Sequence, residues 1–175
     1  YLPKKGEQIQ KAKDLFKQAI KKHKYKGDYQ YAYCTKASHF SFVMEEALKN
    51  GVHLETSSSF DMDLIERLLY RGIVKKDTFL ICNGFKTDDY KEKIIKLVNS
   101  GHQLIPVLDN KHEIEYYEEN VTTVCNIGIR IAADEEPNFE FYTSRLGIRH
   151  KDIFDFYRNR IEDNPNFRLK MLHFF

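Results

Sequence analysis

The sequence predicts an α/β fold in which short parallel strands alternate with helices. Short apolar runs recur along the 175-residue chain, and the stretches between them carry apolar residues at helical spacing. Glycines follow several of the helical stretches, at positions where helices commonly stop. A doubly wound open sheet and a (β/α) barrel both fit this alternation, and both bind ligands at the carboxyl ends of their strands.

The first third of the chain predicts a helix, a strand and a second helix. Apolar residues at helical spacing indicate a helix over residues 7–23, with lysines on its opposite face: Ile9, Ala12, Phe16, Ala19 and Ile20. The segment YQYAYCT at residues 29–35 has the character of a strand. Residues 40–51 then predict a helix that ends at Gly51.

The same alternation continues to the last residue. Predicted strands cover residues 52–57, 78–84, 103–109, 122–132 and 167–175, and predicted helices cover residues 59–71, 88–101, 111–120 and 150–161. In the helix at 59–71, Phe60, Leu64 and Leu68 form one apolar stripe, and Ser58 with Asp61 resembles a capping box. We therefore expect six strands, with a helix after each of the first five.

Composition disfavours several classes of protein. The chain has 28 Lys and Arg against 26 Asp and Glu, so its net charge of +2 gives no strong field toward nucleic acid or membrane. No apolar run is long enough for a membrane helix. Cys34, Cys82 and Cys125 are widely spaced, which indicates thiols packed in strands, in a reducing cytoplasm, rather than disulfides or a metal site.

Two further features concern the ends of the first helix and of the chain. Lysines surround Tyr25 in a basic cluster that is read as a solvated helix end in preference to a nucleic-acid site: Lys21, Lys22, Lys24 and Lys26. The chain begins with Tyr1 and ends inside an apolar, strand-like run, so we expect it to be part of a longer protein.

The residues where the predicted strands end lie on the edge that would bind a ligand, and they are Lys36, Ser57, Ser58, Asn83, Gly84, Asp109, Arg130 and His173 to Phe175. No GxGxxG or GxxxxGK[ST] follows a strand, which disfavours a dinucleotide site and a P-loop. Lys36 closes a short apolar run, YAYCTK, where a lysine is rarely buried without a partner. It is either a surface residue or a group placed for chemistry.

Six segments resemble, in order, the biosynthetic arginine decarboxylases, which belong to the alanine-racemase-like group of pyridoxal 5′-phosphate (PLP) enzymes. They are YKGDYQYAYCTKASH (25–39), HLETSSSFDMDLIERL (53–68), ICNGFKTDDY (81–90), IGIRIAADE (127–135), SRLGIR (144–149) and LKMLHFF (169–175). The resemblance implies a partial (β/α)8 TIM barrel of about six strands, with residues 1–175 as one domain. The remaining barrel strands, the phosphate-binding loop and a carboxy-terminal β domain would lie beyond this chain.

The resemblance also implies an activity. It is the PLP-dependent α-decarboxylation of L-arginine to agmatine in polyamine synthesis, with Lys36 holding the cofactor as a Schiff base and no metal involved. An imine requires an uncharged lysine amine, and PLP serves as the electron sink. Decarboxylation of ornithine, lysine or diaminopimelate, and PLP binding without catalysis, are the alternatives. We expect a cytoplasmic homo-oligomer that binds an amino acid and neither nucleic acid nor membrane.

Four more residues take roles from the resemblance. Arg130 would lie near the phenolic oxygen of the cofactor, and Glu55, Ser58 and Asp61 near the lysine and the ring. Three of them have a structural alternative: an ion pair with a residue such as Asp134 or Glu135 for Arg130, a helix cap for Asp61, and an ordinary exposed strand position for Glu55.

The last strand departs from the family pattern. Phe175 occupies the position of a histidine that stacks on the PLP ring in the family, and it could stack but could not carry a proton. His173 lies two residues earlier and shares the face of Phe175, because strand side chains alternate. A packed core histidine is the alternative role for His173.

Overall fold

Parallel strands form one layer and helices cover it on one face in the computed structural model, which describes residues 2–132 and 146–174. The strands are β1 (Ala32–Cys34), β2 (His53–Thr56), β3 (Leu80–Cys82), β4 (Leu104–Leu108), β5 (Cys125–Ala132), β6 (Ile148–Arg149) and β7 (Phe167–His173). The helices are α1 (Pro3–His23), α2 (Ser41–Lys49), α3 (Ser59–Tyr70), α4 (Asp88–Asn99), α5 (Glu113–Asn120) and α6 (His150–Tyr157), which continues as a π-helical turn (Arg158–Glu162).

The order of the strands distinguishes between the two architectures that the sequence left open. Strands β1 to β5 lie side by side in chain order, all parallel, and β7 pairs with β5 beyond them. A doubly wound sheet reverses its strand order at a switch point, whereas a (β/α) barrel does not. The sequential order is therefore that of a partial barrel, and the prediction of six parallel strands is confirmed.

Alternate strand residues face two different surroundings. The large core lies between the sheet and the helices, and its strand members include Leu54, Leu80, Leu108 and Ile127. A smaller apolar cluster of Ile81, Ile105 and Val107 lies on the opposite, inner face. The inner face is the interior side of a barrel, so side chains at the carboxyl ends of the strands meet there.

Helix α3 buries a different stripe from the one predicted. Its buried apolar residues are Met62, Ile65 and Leu68, whereas Phe60 is 78% exposed. Asp61 is also fully buried, because its carboxylate is bonded to the segments that follow β1 and β2. That anchor turns the helix so that positions 61, 65 and 68 face the sheet, and the prediction for Phe60 is wrong.

The predicted helix stops are confirmed at two glycines. Gly51 follows α2 with φ of 62°, and Gly101 follows α4 with φ of 81°, conformations that glycine adopts without a Cβ penalty. Strand β6 was not predicted: it lies in the segment expected to be a loop and pairs with the last two residues of β5. It is too short to give a periodic signal.

Two of the three cysteines are buried, and the basic cluster is exposed. Cys82 and Cys125 are buried thiols, and burial raises the pKa of Cys82 to about 11 and that of Cys125 to about 12. Cys34 is only half-buried, on the inner face.

The basic cluster is exposed at the carboxyl end of α1, where cations stabilise the helix dipole. Among the helices in the described ranges, none is long and apolar enough to cross a bilayer.

Candidate functional site

Lys36 lies in a 3-10 turn (Thr35–Ala37) immediately after β1, at the carboxyl edge of the sheet. Its neighbour Thr35 is fully buried, whereas Lys36 itself is exposed. The side chain of Lys36 lines an open cavity of about 660 Å³ together with residues from the start of α2 and from α3, among them His39, Phe60 and Asp61. The lysine thus stands at the edge of the sheet where a barrel of this kind binds its ligands.

The carboxylate of Asp61 is a buried hydrogen-bond centre beneath that turn. It accepts hydrogen bonds from the Thr35 hydroxyl at 3.0 Å and from the Ser57 backbone N–H at 2.8 Å, and His39 Nδ1 lies 2.8 Å from its other oxygen. Burial raises the pKa of this carboxyl, but the hydrogen bonds outweigh burial and hold the pKa below its ordinary value. Asp61 is therefore an ionised carboxylate whose acceptor positions are filled by protein donors.

Ser58 is the N-cap of α3. Its hydroxyl accepts from the Asp61 backbone N–H at 3.4 Å, as the capping-box pattern predicts. The Asp61 side chain, however, bonds to the N–H of Ser57, one residue before the cap. The resemblance places the Ser58 hydroxyl and the Asp61 carboxylate near the cofactor. Both groups thus take part in starting the helix.

Glu55, Asn83 and His173 form a polar cluster on the inner face. The Asn83 amide donates to Glu55 Oε1 at 3.0 Å and lies 3.3 Å from His173 Nε2. Since the Glu55 carboxylate only accepts, the amide nitrogen of Asn83 must point toward it, and His173 Nε2 is then the acceptor of the second contact. Asn83 Oδ1 is buried without a hydrogen bond in the described part of the chain.

His173 is held in its neutral form. Burial lowers its pKa the most, Glu55 at 3.9 Å and Asp109 act in the opposite direction, and the positive charges of Arg130 and Lys86 lower it further. The lowered pKa agrees with an unprotonated Nε2 that accepts from Asn83. The contact with Glu55 is therefore not an ion pair at neutral pH.

Arg130 lies beside His173 on the neighbouring strand, and the two residues are Cα partners in the β5–β7 register. The guanidinium also forms an ion pair with Asp109, which follows β4, at 3.5 Å. The Asp109 side chain is 2% exposed, and neither of its carboxylate oxygens accepts a hydrogen bond within residues 2–132 and 146–174. An ion-pair role for Arg130 is thus observed, with Asp109 as one partner; Asp134 and Glu135 lie outside the described residues.

A second buried ion pair, between Lys86 and Glu113, was not predicted from the sequence. Lys86 Nζ lies 2.9 Å from Glu113 Oε1, with both side chains buried, and Lys86 also donates to the carbonyls of Gly84 and Val107. The other oxygen of Glu113 accepts from the backbone N–H of Asp109 at 3.0 Å. The pair therefore fixes the loop after β3 and the residue that contacts Arg130.

The predicted residues fall into two adjacent groups. Lys36, Ser58 and Asp61 lie at the ends of β1 and β2, and Glu55, Arg130 and His173 line the inner face of the sheet. Cys34 stands between them, with Glu55 as its Cα partner on β2. Phe175 lies outside the described residues. No group of three metal-ligating side chains occurs within the described ranges.

Comparison with known proteins gives the same assignment as the motifs. A biosynthetic arginine decarboxylase of Synechocystis is 23% identical over 187 residues, which cover 97% of this chain and 28% of that protein. Another, from Prochlorococcus marinus, is 30% identical over 114 residues, covering 62% of this chain and 17% of that protein. The resemblance to the biosynthetic arginine decarboxylases is confirmed. No protein-family model matches the chain.

Solved structures show the fold. A biosynthetic arginine decarboxylase from Campylobacter jejuni matches with a TM-score of 0.73 and 21% identity, over 97% of this chain and 28% of that one. A diaminopimelate decarboxylase from M. jannaschii, solved in complex with L-lysine, matches with a TM-score of 0.68 and 16% identity, over 97% and 40%. This chain spans little more than a quarter of the length of the arginine decarboxylases that it matches over most of its own length.

Proposed function

We propose that this chain is part of a PLP-dependent decarboxylase that converts L-arginine to agmatine and carbon dioxide. The observation that carries the proposal is the position of Lys36, an exposed lysine on a fixed turn at the carboxyl end of β1. Residues 1–175 would form one domain, the amino-terminal and central part of the cofactor-binding barrel. An amino-acid substrate, a homo-oligomeric state and a cytoplasmic location belong to the same proposal.

The residues at the carboxyl edge fit the aldehyde and ring of PLP. Lys36 offers a primary amine beside an open cavity, and Arg130 offers a cation on the inner face. Asn83 Oδ1 is a buried polar atom without a hydrogen bond, as expected near a site that a ligand completes. Lys36 would hold the aldehyde covalently, and Arg130, Glu55 and His173 would line the ring.

Lys36 would contribute its amine and Arg130 its positive charge. The chemistry that PLP supplies when bound is withdrawal of the electron pair left on the α-carbon as carbon dioxide departs. Lys36 would bind and release the aldehyde through its amine. Arg130, oriented by Asp109, would offer positive charge to the phenolic oxygen of the ring.

The residues on β7 and α3 would support the ring and the lysine. His173, kept neutral by burial, would pack against the ring. Phe175 would contribute only a stacking surface. Ser58 and Asp61 would act from the start of α3 rather than by touching the cofactor, because their oxygens already accept from protein donors.

The proposal is tested by trapping the cofactor. The full-length protein is incubated with PLP, reduced with borohydride and digested, and the labelled peptide is identified by mass spectrometry. We expect the label on Lys36, no label at that position in Lys36→Ala, and unchanged labelling of Lys36 in the exposed control Lys26→Ala. A label on another lysine in the wild type, or none, would show the assignment of Lys36 to be wrong.

A second assay tests the substrate. The similarity to the diaminopimelate decarboxylase solved with L-lysine supports an alternative amino-acid substrate. Release of labelled carbon dioxide is therefore compared for arginine, ornithine, lysine and diaminopimelate, and arginine is expected to give the highest kcat/KM. Labelling of Lys36 without release from any of them would favour a PLP-binding protein that does not catalyse decarboxylation.

A further inference from the structure

The turn that carries Lys36 is tied down on both of its sides. Ser38 N–H donates to the Thr35 carbonyl at 3.0 Å and closes the turn, while the Thr35 hydroxyl reaches Asp61. On the other side, His39 follows Lys36 by three residues and its Nδ1 contacts the same carboxylate at 2.8 Å. One buried carboxylate thus holds the residues that precede and follow the lysine.

His39 and Asp61 contribute differently to this arrangement. Asp61 is fully buried and ionised, and because a carboxylate only accepts, His39 Nδ1 must carry the proton and donate. The imidazole is 60% exposed, so its Nε2 is not enclosed by the protein core. Both His39 and Lys36 line the same cavity of about 660 Å³.

We propose that His39, anchored by Asp61, is a positioning residue that fixes the turn bearing Lys36 for reaction with an aldehyde. The inference rests on the proposed function of Lys36 and adds a residue that the motifs did not assign. A lysine has four rotatable side-chain bonds, and a backbone that also moved would add to the freedom that its amine must lose. Fixing that backbone before the reaction lowers the entropy that must be lost at the moment of bond formation.

The alternative is that the His39–Asp61 contact only stabilises the fold. The contact joins an exposed imidazole to a buried carboxylate, and Asp61 retains its donors from Thr35 and Ser57 when His39 is removed. The two possibilities therefore differ in what the loss of His39 changes: the reactivity of one lysine, or the stability of the whole chain.

The experiment measures the rate at which PLP labels individual lysines of the full-length protein, with borohydride quenching at successive times and quantitative peptide mapping. In His39→Phe, which keeps a planar ring but has no donor, we expect labelling of Lys36 to slow by about three- to tenfold relative to surface lysines. His39→Asn, whose amide can replace the Nδ1 donor, should recover at least half of the loss. His112→Phe is the matched control, since His112 is 89% exposed and also faces a carboxylate, Glu115.

The outcomes separate this inference from the proposed function. If the wild type is not labelled on Lys36, the proposed function fails. If the wild type is labelled and His39→Phe labels Lys36 at the same relative rate, His39 is not a positioning residue. Equal slowing in His39→Phe and His39→Asn, or a lower unfolding temperature with all lysines slowed alike, would also overturn the inference.

Discussion

At the scale of single residues, the two inner-face charges of Arg130 and Asp109 show how the site is ordered. A buried ion pair rarely adds net stability, because removing two charges from water costs about as much as their attraction returns. At 3.5 Å and without a hydrogen bond, this pair is a weak stabiliser. Its effect is to orient the guanidinium, and a change at Asp109 should therefore weaken cofactor binding, besides lowering stability because the charge of Arg130 is left without this partner.

Substitution Asp109→Asn tests the orienting role. The change keeps the size of the side chain and removes the charge that faces Arg130, so PLP should bind about tenfold more weakly, a loss of about 1.4 kcal/mol. The affinity is measured by titrating the absorbance of the bound cofactor. Asp155→Asn, at an exposed position on α6, is the control and should bind as the wild type does. Unchanged affinity in Asp109→Asn would contradict the orienting role.

His173 predicts a pH dependence of stability. Its pKa is lowered in the folded chain, mainly by burial, so the unfolded chain binds more protons near pH 6. The stability that His173 contributes is therefore present above the unfolded pKa of about 6.5, and it falls as the pH drops from there toward the folded pKa.

The measurement is urea unfolding of wild type and His173→Gln at pH 8 and pH 5. Glutamine keeps an acceptor where His173 Nε2 lies but does not titrate, so the variant should lose less stability than the wild type on acidification. His112→Gln, at an exposed histidine, should follow the wild type. The same loss in His173→Gln and wild type would show that His173 does not account for this dependence.

At the scale of elements, helix α3 shows what a sequence pattern can and cannot predict. Its bounds, its Ser58 cap and the glycine stops of α2 and α4 follow from local rules, because the residues concerned are close in the chain. The buried face of α3 does not follow from local rules, because it depends on the hydrogen bond between Asp61 and Thr35, which are 26 positions apart in the chain. The Lys86–Glu113 pair was missed for the same reason.

Two alanine substitutions on α3 test the corrected face. Ile65 is fully buried, and Ile65→Ala should lower the free energy of unfolding by about 2–5 kcal/mol through the cavity it leaves. Phe60 is 78% exposed, and Phe60→Ala should change it by less than about 0.5 kcal/mol. Both are measured by urea denaturation. A larger loss of unfolding free energy for Phe60→Ala than for Ile65→Ala would contradict the corrected face and support the stripe predicted from the sequence.

At the scale of the whole molecule, the proposed cofactor site would require more residues than the described ones. Lys36 is exposed, and β1 has β2 as its one strand neighbour in the described part of the chain. A closed barrel excludes water from the groups at its carboxyl edge, and water exclusion strengthens their electrostatic interactions. The matched arginine decarboxylases are more than three times as long as this chain.

We therefore expect residues 1–175 alone to release no carbon dioxide from arginine above background, and the proposed function predicts release by the full-length protein. Lys36 of the isolated segment should also label with PLP more slowly than in the full-length protein. Release is measured with carboxyl-labelled arginine at equal molar concentrations, and Lys36→Ala in the full-length protein provides the background. Equal turnover by the segment would show that the described groups suffice.

The sequential strand order has a consequence for how the chain acquires its structure. From β1 to β5, each strand pairs with the one synthesised just before it, so the sheet contacts join residues that are near one another in the chain. Each pairing closes the loop of one helical crossover, which costs less chain entropy than the longer loops that a non-sequential strand order would require. A nascent chain of this order can add one strand and helix at a time as it leaves the ribosome.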